Sequence, residues 1–226
     1  MTSQKSIIFD ASTLISISMN GLTDELRNLK KVFDGHFIIP NSVKEEVIDN
    51  PLKINRFKLE ALVTNSLLED KTLELPSVLG ISDKDILKKS EELMNFANSC
   101  FMGGNRTIHI LDLGETSCAA LSKILTEKGI KNLVAVDERT LRILCEKPEN
   151  LKKLLEKKLH TRIELKKEKI KDFTGIKIVR SSELIYFANK KDLTKLKGKK
   201  ALEAFLYALK SKGCSISYEE IDEVIK

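Results

Sequence analysis

The chain has 226 residues, of which 42% are hydrophobic and 32% are charged, a composition typical of a soluble globular protein with one or two domains. No apolar stretch approaches the roughly 20 residues of a membrane-spanning helix. The apolar run near the N-terminus is too short for a signal-peptide core. These features exclude an integral membrane protein, and we expect a cytoplasmic location with no membrane partner.

The net charge of +6 is unevenly distributed along the chain. Residues 147–226 carry 21 Lys and Arg against 12 Asp and Glu, whereas residues 1–146 carry 18 against 21. An acidic first part and a basic second part suit a protein that binds metal at one place and phosphates at another, although lysine-rich helices are also ordinary solvated surfaces.

The four cysteines and three histidines show no metal-binding spacing. No two cysteines form a C-x-x-C pair, and no Cys/His pair is spaced as in a zinc finger. We therefore expect structural positions for all seven of these residues.

In chain order, buried strands alternate with helices. Continuous apolar runs predict strands ending at Phe9 and Ile39, and apolar periodicity predicts a helix opening at Ala11 and another over 22–33. Ser42 and Glu45 have the spacing of a capping box, which predicts a helix over 42–49. Further expectations are helices over 55–69 and 83–101, a short strand over 72–75, and a mobile loop over 102–105.

The second part of the chain begins with the same alternation. A helix over 115–128 is closed by Gly129, a third buried strand covers 133–136, helices cover 140–146 and 149–158, and an edge strand is predicted over 162–165. The fold class is therefore α/β, with three α/β/α layers around a mostly parallel sheet. We divide the chain into a domain at 1–165 and a basic C-terminal extension at 166–226, packed on the core.

Carboxylates follow the buried strands. Asp10 and Asp137 each come at the end of a strand, which is the edge where open α/β sheets bind ligands. Glu46 falls in the first turn of the helix after the second strand, and Glu115 in the first turn of the helix before the third. The capping box gives Glu45 a structural task and leaves Glu46 as the better ligand. Alternatively, Asp10 and Asp137 are ordinary N-caps of the helices that follow them. Asp112 is expected to cap the helix that contains Glu115.

A cluster of four acids is costly without a cation, because like charges resist ionisation. Mg²⁺ or Mn²⁺ relieves that cost, since these ions prefer oxygen ligands. The expected metal-holding acids are Asp10, Glu46, Glu115 and Asp137, while Glu138 stays open between a further ligand and solvated surface. Phosphodiester hydrolysis by a metal-activated water is the natural reaction of such a site.

Four segments resemble the motifs of PIN-like nucleases, in order over residues 6–160. Residues 7–14 (IIFDASTL) resemble the first motif and residues 39–47 (IPNSVKEEV) the second. Residues 113–121 (LGETSCAAL) resemble the GE…A…LA motif, and residues 134–139 (VAVDER) the terminal DDR element, with Glu138 in place of its second Asp. The chain is longer than the VapC-type toxins of this family.

The resemblance implies a PIN-like fold, a divalent metal and an endoribonuclease acting on single-stranded or structured RNA. It gives Asp10, Glu46, Glu115 and Asp137 catalytic roles and lets Ser12 support Asp10. It also suggests a homodimer and a protein inhibitor or RNA-processing partner. Arg106, Arg139 and Arg142 are candidates for substrate binding. The alternatives are an ordinary exposed loop arginine for Arg106 and pairing with neighbouring glutamates for Arg139 and Arg142.

Two other classes remain open. The first is a non-catalytic RNA-binding or ribosome-associated module on the same fold, because the departure at Glu138 is of the kind seen in incomplete acid sets. The second is a haloacid-dehalogenase-like phosphatase, which also begins with a strand-end Asp. That chemistry needs a second Asp two residues later, where this chain has Ser12, so this class ranks low.

Overall fold

The structure is a computed structural model and describes residues 5–104, 106–166 and 172–226. Its described strands are β1 (Lys5–Phe9), β2 (His36–Ile38), β3 (Phe101–Gly103), β4 (Arg106–Thr107), β5 (Lys131–Ala135), β6 (Ile163–Leu165) and β7 (Ile178–Val179). The described helices are α1 (Ala11–Met19), α2 (Thr23–Val32), α3 (Asn41–Lys44), α4 (Lys58–Glu69), α5 (Asp83–Cys100), α6 (Leu113–Glu127), α7 (Arg139–Glu146), α8 (Pro148–Leu159), α9 (Ser181–Lys190), α10 (Lys199–Ser211) and α11 (Tyr218–Ile225).

Four parallel strands form the main sheet in the order β2-β1-β5-β7. Ile7 of β1 is in register with Phe37 of β2 on one side and Leu133 of β5 on the other. All of β1 beyond Lys5 is buried, as expected for a parallel strand covered on both faces. The predicted α/β class with a parallel sheet is therefore confirmed, and the C-terminal ends of β1 and β5 lie side by side.

A second, antiparallel sheet has the order β4-β3-β6. It overturns the expectation of a mobile loop over 102–105, because β3 and β4 form a hairpin. Gly104 has φ of +59° there, the left-handed conformation that glycine adopts at tight turns, while Asn105 lies outside the described residues. The predicted edge strand near 162–165 is confirmed as β6, which pairs with β3. Thr72–Leu75 contributes only an isolated bridge from Glu74 to Ile38.

The segment after β2 differs from the predicted capping box. Helix α3 begins at Asn41, Pro40 occupies the N-cap position, and no side chain caps the helix. The hydroxyl of Ser42 is buried without a hydrogen-bond partner. Residues Glu45–Asp49 then form one turn of π-helix, a distortion that is frequent at functional sites. Glu45 therefore has no capping role in the structure.

The C-terminal segment contributes directly to the main sheet. β7 pairs with β5 in parallel register, with Val134 opposite Ile178 and Ala135 opposite Val179. Helix α9 follows β7 and packs against α1, α2 and α10, and α11 packs against α10. Residues 167–171, on which part of the predicted extension falls, lie outside the described residues. The division at residue 165 stays a prediction, but residues 178–179 supply the fourth strand.

The core runs through the main sheet. Phe9 and Phe37 are almost fully buried, and their ring centroids are 5.1 Å apart. Along the described parts of the chain, no helix is both long and apolar enough to cross a membrane. The positions of the sheet and of α6 then decide where the acidic side chains lie.

Candidate functional site

Asp10 lies at the C-terminal end of β1, at the junction with β5. Its backbone N–H donates to the carbonyl of Ala135 at 2.9 Å, and its side chain is 3% exposed. The N–H and the hydroxyl of Ser12 both donate to Oδ2 of Asp10, at 3.0 and 2.6 Å. Burial raises the pKa of Asp10, and although the Ser12 hydrogen bonds oppose the shift, the pKa remains above its usual value.

Ser12 also ties Asp10 to the end of β5. Its hydroxyl oxygen accepts from the backbone N–H of Asp137 at 3.0 Å and of Glu138 at 3.3 Å. A single side chain thus fixes the orientation of Asp10 and the path of the chain that leaves β5. These hydrogen bonds are consistent with the predicted role of Ser12 in supporting Asp10.

Glu115 enters the site from the first turn of α6. Asp112 is the N-cap of that helix, and its backbone N–H donates to Oε2 of Glu115 at 3.2 Å in a capping box, so the predicted cap is confirmed. Oε1 of Glu115 is buried and has no hydrogen-bond donor. Burial, followed by the charge of Glu138, raises the pKa of Glu115 to about 9.

Glu46 approaches the same place from the π-helical turn. A Cβ atom added to Gly114 would meet Oε2 of Glu46 at 2.8 Å, so the glycine leaves room for this carboxylate at the start of α6. Burial and the charges of Asp10 and Asp112 raise the pKa of Glu46. Glu46, selected over Glu45 on the sequence, is thus the glutamate that faces Asp10.

Glu138 belongs to this group as well. It contributes to raising the pKa of Asp10 and of Glu115. At present it caps α7, because its carboxylate accepts from the N–H of Thr140 and, at 2.9 Å, from the hydroxyl of Thr140. The acidic cluster, which we define as Asp10, Glu46, Glu115 and Glu138, therefore draws one acid each from β1, the π-helical turn, α6 and the β5–α7 junction.

Asp137 takes a different direction from its neighbour Glu138. Its side chain is fully buried, and its two carboxylate oxygens accept from the N–H and hydroxyl of Ser181 at 2.7 and 2.6 Å. Burial raises its pKa, against the hydrogen bonds from Ser181. Asp137 was expected among the metal-holding acids. Because α9 begins against it and occupies both oxygens, we leave it out of the acidic cluster.

The three predicted substrate-binding arginines are spread over the molecule. Arg106 is exposed on β4 in the second sheet. Arg139 is exposed at the start of α7, directly after Glu138. Arg142 donates from Nη2 to the carbonyl and hydroxyl of Ser215 at 3.3 and 3.2 Å. In the described structure Arg142 therefore contacts Ser215, and not a neighbouring glutamate as the alternative had predicted.

The donors of the acidic cluster suit a hard divalent cation. They are all carboxylate oxygens, the ligand type that Mg²⁺ and Mn²⁺ prefer. Oε1 of Glu115 is buried without a donor, and the missing side chain of Gly114 leaves the room that the carboxylate of Glu46 occupies. Asp10 is the N-cap of α1, Glu115 and Glu138 also accept capping hydrogen bonds, and among the described residues no three His, Cys, Asp or Glu side chains are already arranged around a metal position. A cation would draw these two glutamates from their caps.

Cys118 lies one turn along α6 beneath Glu115. Its thiol is 4.0 Å from Oδ1 of Asp10 and fully buried. Burial and the charges of Asp10 and Glu115 keep the pKa of the thiol well above its usual value. The thiol is thus neutral and acts as a small packed side chain, and the cysteines in the described part of the chain form no disulfide.

The chain matches no family model, no curated protein and no solved structure.

Proposed function

We propose that the protein is a divalent-metal-dependent endoribonuclease with a PIN-like, three-layer fold. The observation that carries the proposal is the approach of four carboxylates to one sheet edge, where burial and neighbouring charge raise the pKa of Asp10, Glu46 and Glu115. Like charges held close together resist ionisation, and a cation would relieve that cost. The edge itself is where ligands bind in open α/β sheets.

Asp10, Glu46, Glu115 and Glu138 would hold the ion. When bound, Mg²⁺ or Mn²⁺ supplies the positive charge that activates water and offsets charge on a phosphate under attack. Ser12 keeps Oδ2 of Asp10 in place through two hydrogen bonds. Gly114 keeps the start of α6 open to Glu46. RNA is the proposed substrate because the motifs in residues 7–14 and 113–121 resemble those of RNA-cleaving PIN-like proteins.

A second candidate is the RNA-binding module without catalysis. It is favoured by the present contacts of Glu115 and Glu138, each of which accepts hydrogen bonds from a helix N-terminus. In that case the acids would stay in their capping positions, and RNA affinity would depend on salt but not on divalent metal.

The test is cleavage of unstructured and structured RNAs in Mn²⁺ by the wild-type protein and by Asp10→Asn. Asp83→Asn, at an exposed acid in the first turn of α5, is the matched control. We expect cleavage by the wild type and the control and a loss of at least about 100-fold in Asp10→Asn, since losing one electrostatic contact to the transition state typically costs this much. Calorimetric titration with Mn²⁺ should show weaker binding only in Asp10→Asn. Equal cleavage by all three proteins would refute the proposal.

A further inference from the structure

A cleft of about 590 Å³ lies beside the acidic cluster, between the start of α7, the last turn of α10 and the segment that leads into α11. Its described lining includes three cationic side chains, two tyrosines and several small polar residues. Its charged and aromatic lining residues are Arg139, Arg142, Tyr207, Lys210, Tyr218 and Glu220. We call this the α7–α10 cleft.

The α7–α10 cleft carries net positive charge. Arg139, Arg142 and Lys210 supply three cations. Glu220, the acid among the described lining residues, is neutralised from outside the cleft, because Arg180 donates to its Oε1 at 3.0 Å. Its Oε2 accepts from the N–H of Ser217 at 2.7 Å. Burial acts against these contacts, but together they lower the pKa of Glu220. Glu220 therefore does not cancel the positive charge of the three cations, of which Arg142 and Lys210 also donate to the carbonyls of Ser215 and Ile216.

Two tyrosines make one wall of the cleft suited to bases. The rings of Tyr207 and Tyr218 are 6.0 Å apart, and their exposed fractions are 39% and 60%. Nζ of Lys210 lies over the ring of Tyr218, 4.3 Å from its centroid. An exposed aromatic face beside cations is the arrangement with which proteins hold single strands, because unpaired bases stack on the ring while phosphates meet the charges.

The floor of the cleft is fixed to the end of β5. The N–H of Ser215 donates to the carbonyl of Asp137 at 3.1 Å. The carbonyl of Ser215 accepts from Arg142 at 3.3 Å and from Arg180 at 3.1 Å. Arg139 follows Glu138 directly in the chain. The cleft and the acidic cluster are therefore adjacent, joined through residues 137–139.

We propose that the α7–α10 cleft binds a single-stranded nucleic acid, with phosphates on Arg139, Arg142 and Lys210 and a base on Tyr218. The direction in which the strand runs, toward Asp10, rests on the proposed nuclease function, but the binding itself does not. A duplex would hide its base faces from Tyr218, so the cleft selects unpaired strands. The lysine-rich run at 190–200 is a weaker site, since Lys195 pairs with Asp24.

The experiment is fluorescence anisotropy of a labelled 12-nucleotide oligouridylate with the full chain in EDTA, where no divalent metal is free. We expect Tyr218→Ala to weaken binding about tenfold and Tyr218→Phe to keep it, because only the ring face is needed. Arg139→Gln should weaken binding and lower the slope of log affinity against log salt by about 0.7, the value of one phosphate contact to a single strand. Both positions are exposed, so these variants should fold normally.

Two controls match these changes elsewhere on the surface. Tyr186→Ala removes another tyrosine with a lysine over its ring, since Nζ of Lys190 lies 5.4 Å from its centroid. Lys177→Gln removes a cation from a separate cleft near Lys131. We expect both to bind like the wild type. The inference is overturned if the wild type does not bind, if the cleft variants bind like the controls, or if a duplex competes as well as the single strand.

The outcome separates this inference from the proposed function. Asp10→Asn is used only in the cleavage assay with Mn²⁺, and the cleft variants carry the binding test in EDTA. If Tyr218→Ala and Arg139→Gln bind normally while Asp10→Asn abolishes cleavage, the cleft proposal fails and the nuclease survives. If the cleft variants lose binding and no RNA is cut in Mn²⁺, the nuclease fails and the cleft stands. Equal binding of single-stranded DNA supports the cleft, whose contacts are to phosphates and base faces.

Discussion

Replacing Glu115 with glutamine tests the electrostatic basis of the acidic cluster. The substitution removes the charge but keeps the shape, and a glutamine at this position of a capping box can still accept from the N–H of Asp112. Any change in stability or metal binding therefore reports on the carboxylate's charge. The metal-free protein is the state in which the repulsion from Glu138 and Asp10 is fully felt.

The sign and size of the stability difference between the wild type and Glu115→Gln follow from proton linkage. In the folded protein the pKa of Glu115 is raised to about 9, against a usual value of 4.5, so folding favours the protonated form. Glu115 does not destabilise the folded protein below about pH 4.5, where it is protonated in both the folded and the unfolded state. The free energy of unfolding then falls as the pH rises from there to about 9. At roughly 1.4 kcal/mol per pH unit, the loss at pH 7 is roughly 3 kcal/mol. Glu115→Gln avoids that loss.

The assay is urea unfolding of both proteins in EDTA at pH 5.5, 7.0 and 8.5. We expect Glu115→Gln to be the more stable protein at all three values, with a margin that widens as the pH rises. Thermal unfolding with added Mn²⁺ supplies the second half of the test. Because a ligand that binds only the folded state stabilises it, the midpoint should rise more in the wild type than in Glu115→Gln.

Parallel pH profiles for the two proteins would refute this reasoning. They would mean that Glu115 ionises with its usual pKa in the metal-free protein, so that neither burial nor the charge of Glu138 disfavours its carboxylate. A stability margin that widens with pH, without any effect of Mn²⁺, would support the raised pKa of Glu115 but contradict metal binding at the acidic cluster.

Three other changes give distinct outcomes. Ser181→Ala should destabilise the protein by about 1–3 kcal/mol in urea, because it leaves a buried oxygen of Asp137 without its donor, while Mn²⁺ titration stays unchanged. Gly114→Ala should stabilise α6 by up to about 1 kcal/mol yet weaken Mn²⁺ affinity, since its Cβ displaces Glu46. Glu220 has a lowered pKa, so its stabilisation is present above its unfolded pKa and is lost as the pH falls through the folded value; Glu220→Gln should flatten that acid limb of the unfolding profile.

Local signals in the sequence predicted the elements that carry most of the acidic cluster. The apolar run before Asp10 has the composition of a buried parallel strand, and β1 is one. Asp112 and Glu115 have capping-box spacing, and the structure shows both halves of that box. Such signals succeed because the hydrogen bonds and the burial they describe involve residues within a few positions of each other.

The remaining features depend on partners far along the chain. The hairpin of β3 and β4 is stabilised by pairing with β6, about 60 residues later. The false capping box at Ser42 had the right spacing, but the chain enters the helix one residue earlier, at Asn41 behind Pro40. Strand β7 has two residues and completes the sheet only because β5 lies beside it. The spacing of residues within a short stretch of sequence does not reveal these long-range contacts.

The same limit explains why the sequence could not separate the surroundings of Asp137 from those of Glu138. Both follow a buried strand, and strand-end position alone favours the first of them. The approach of α9, which begins at Ser181, decides the direction of the Asp137 side chain. Glu138 is then left on the side of Asp10 and Glu115. A helix about 40 residues away thus selects which carboxylate joins the cluster.

Three consecutive residues after β5 accordingly serve three neighbours. Asp137 anchors α9 with its carboxylate and the floor of the α7–α10 cleft with its carbonyl, Glu138 joins the acidic cluster, and Arg139 lines the cleft. Ser12 accepts hydrogen bonds from the first two N–H groups of this stretch while donating to Asp10. A shift of this junction would therefore move the cluster and the cleft together, which is the coupling that the proposed nuclease would need to place a bound strand against the acids proposed to hold its metal.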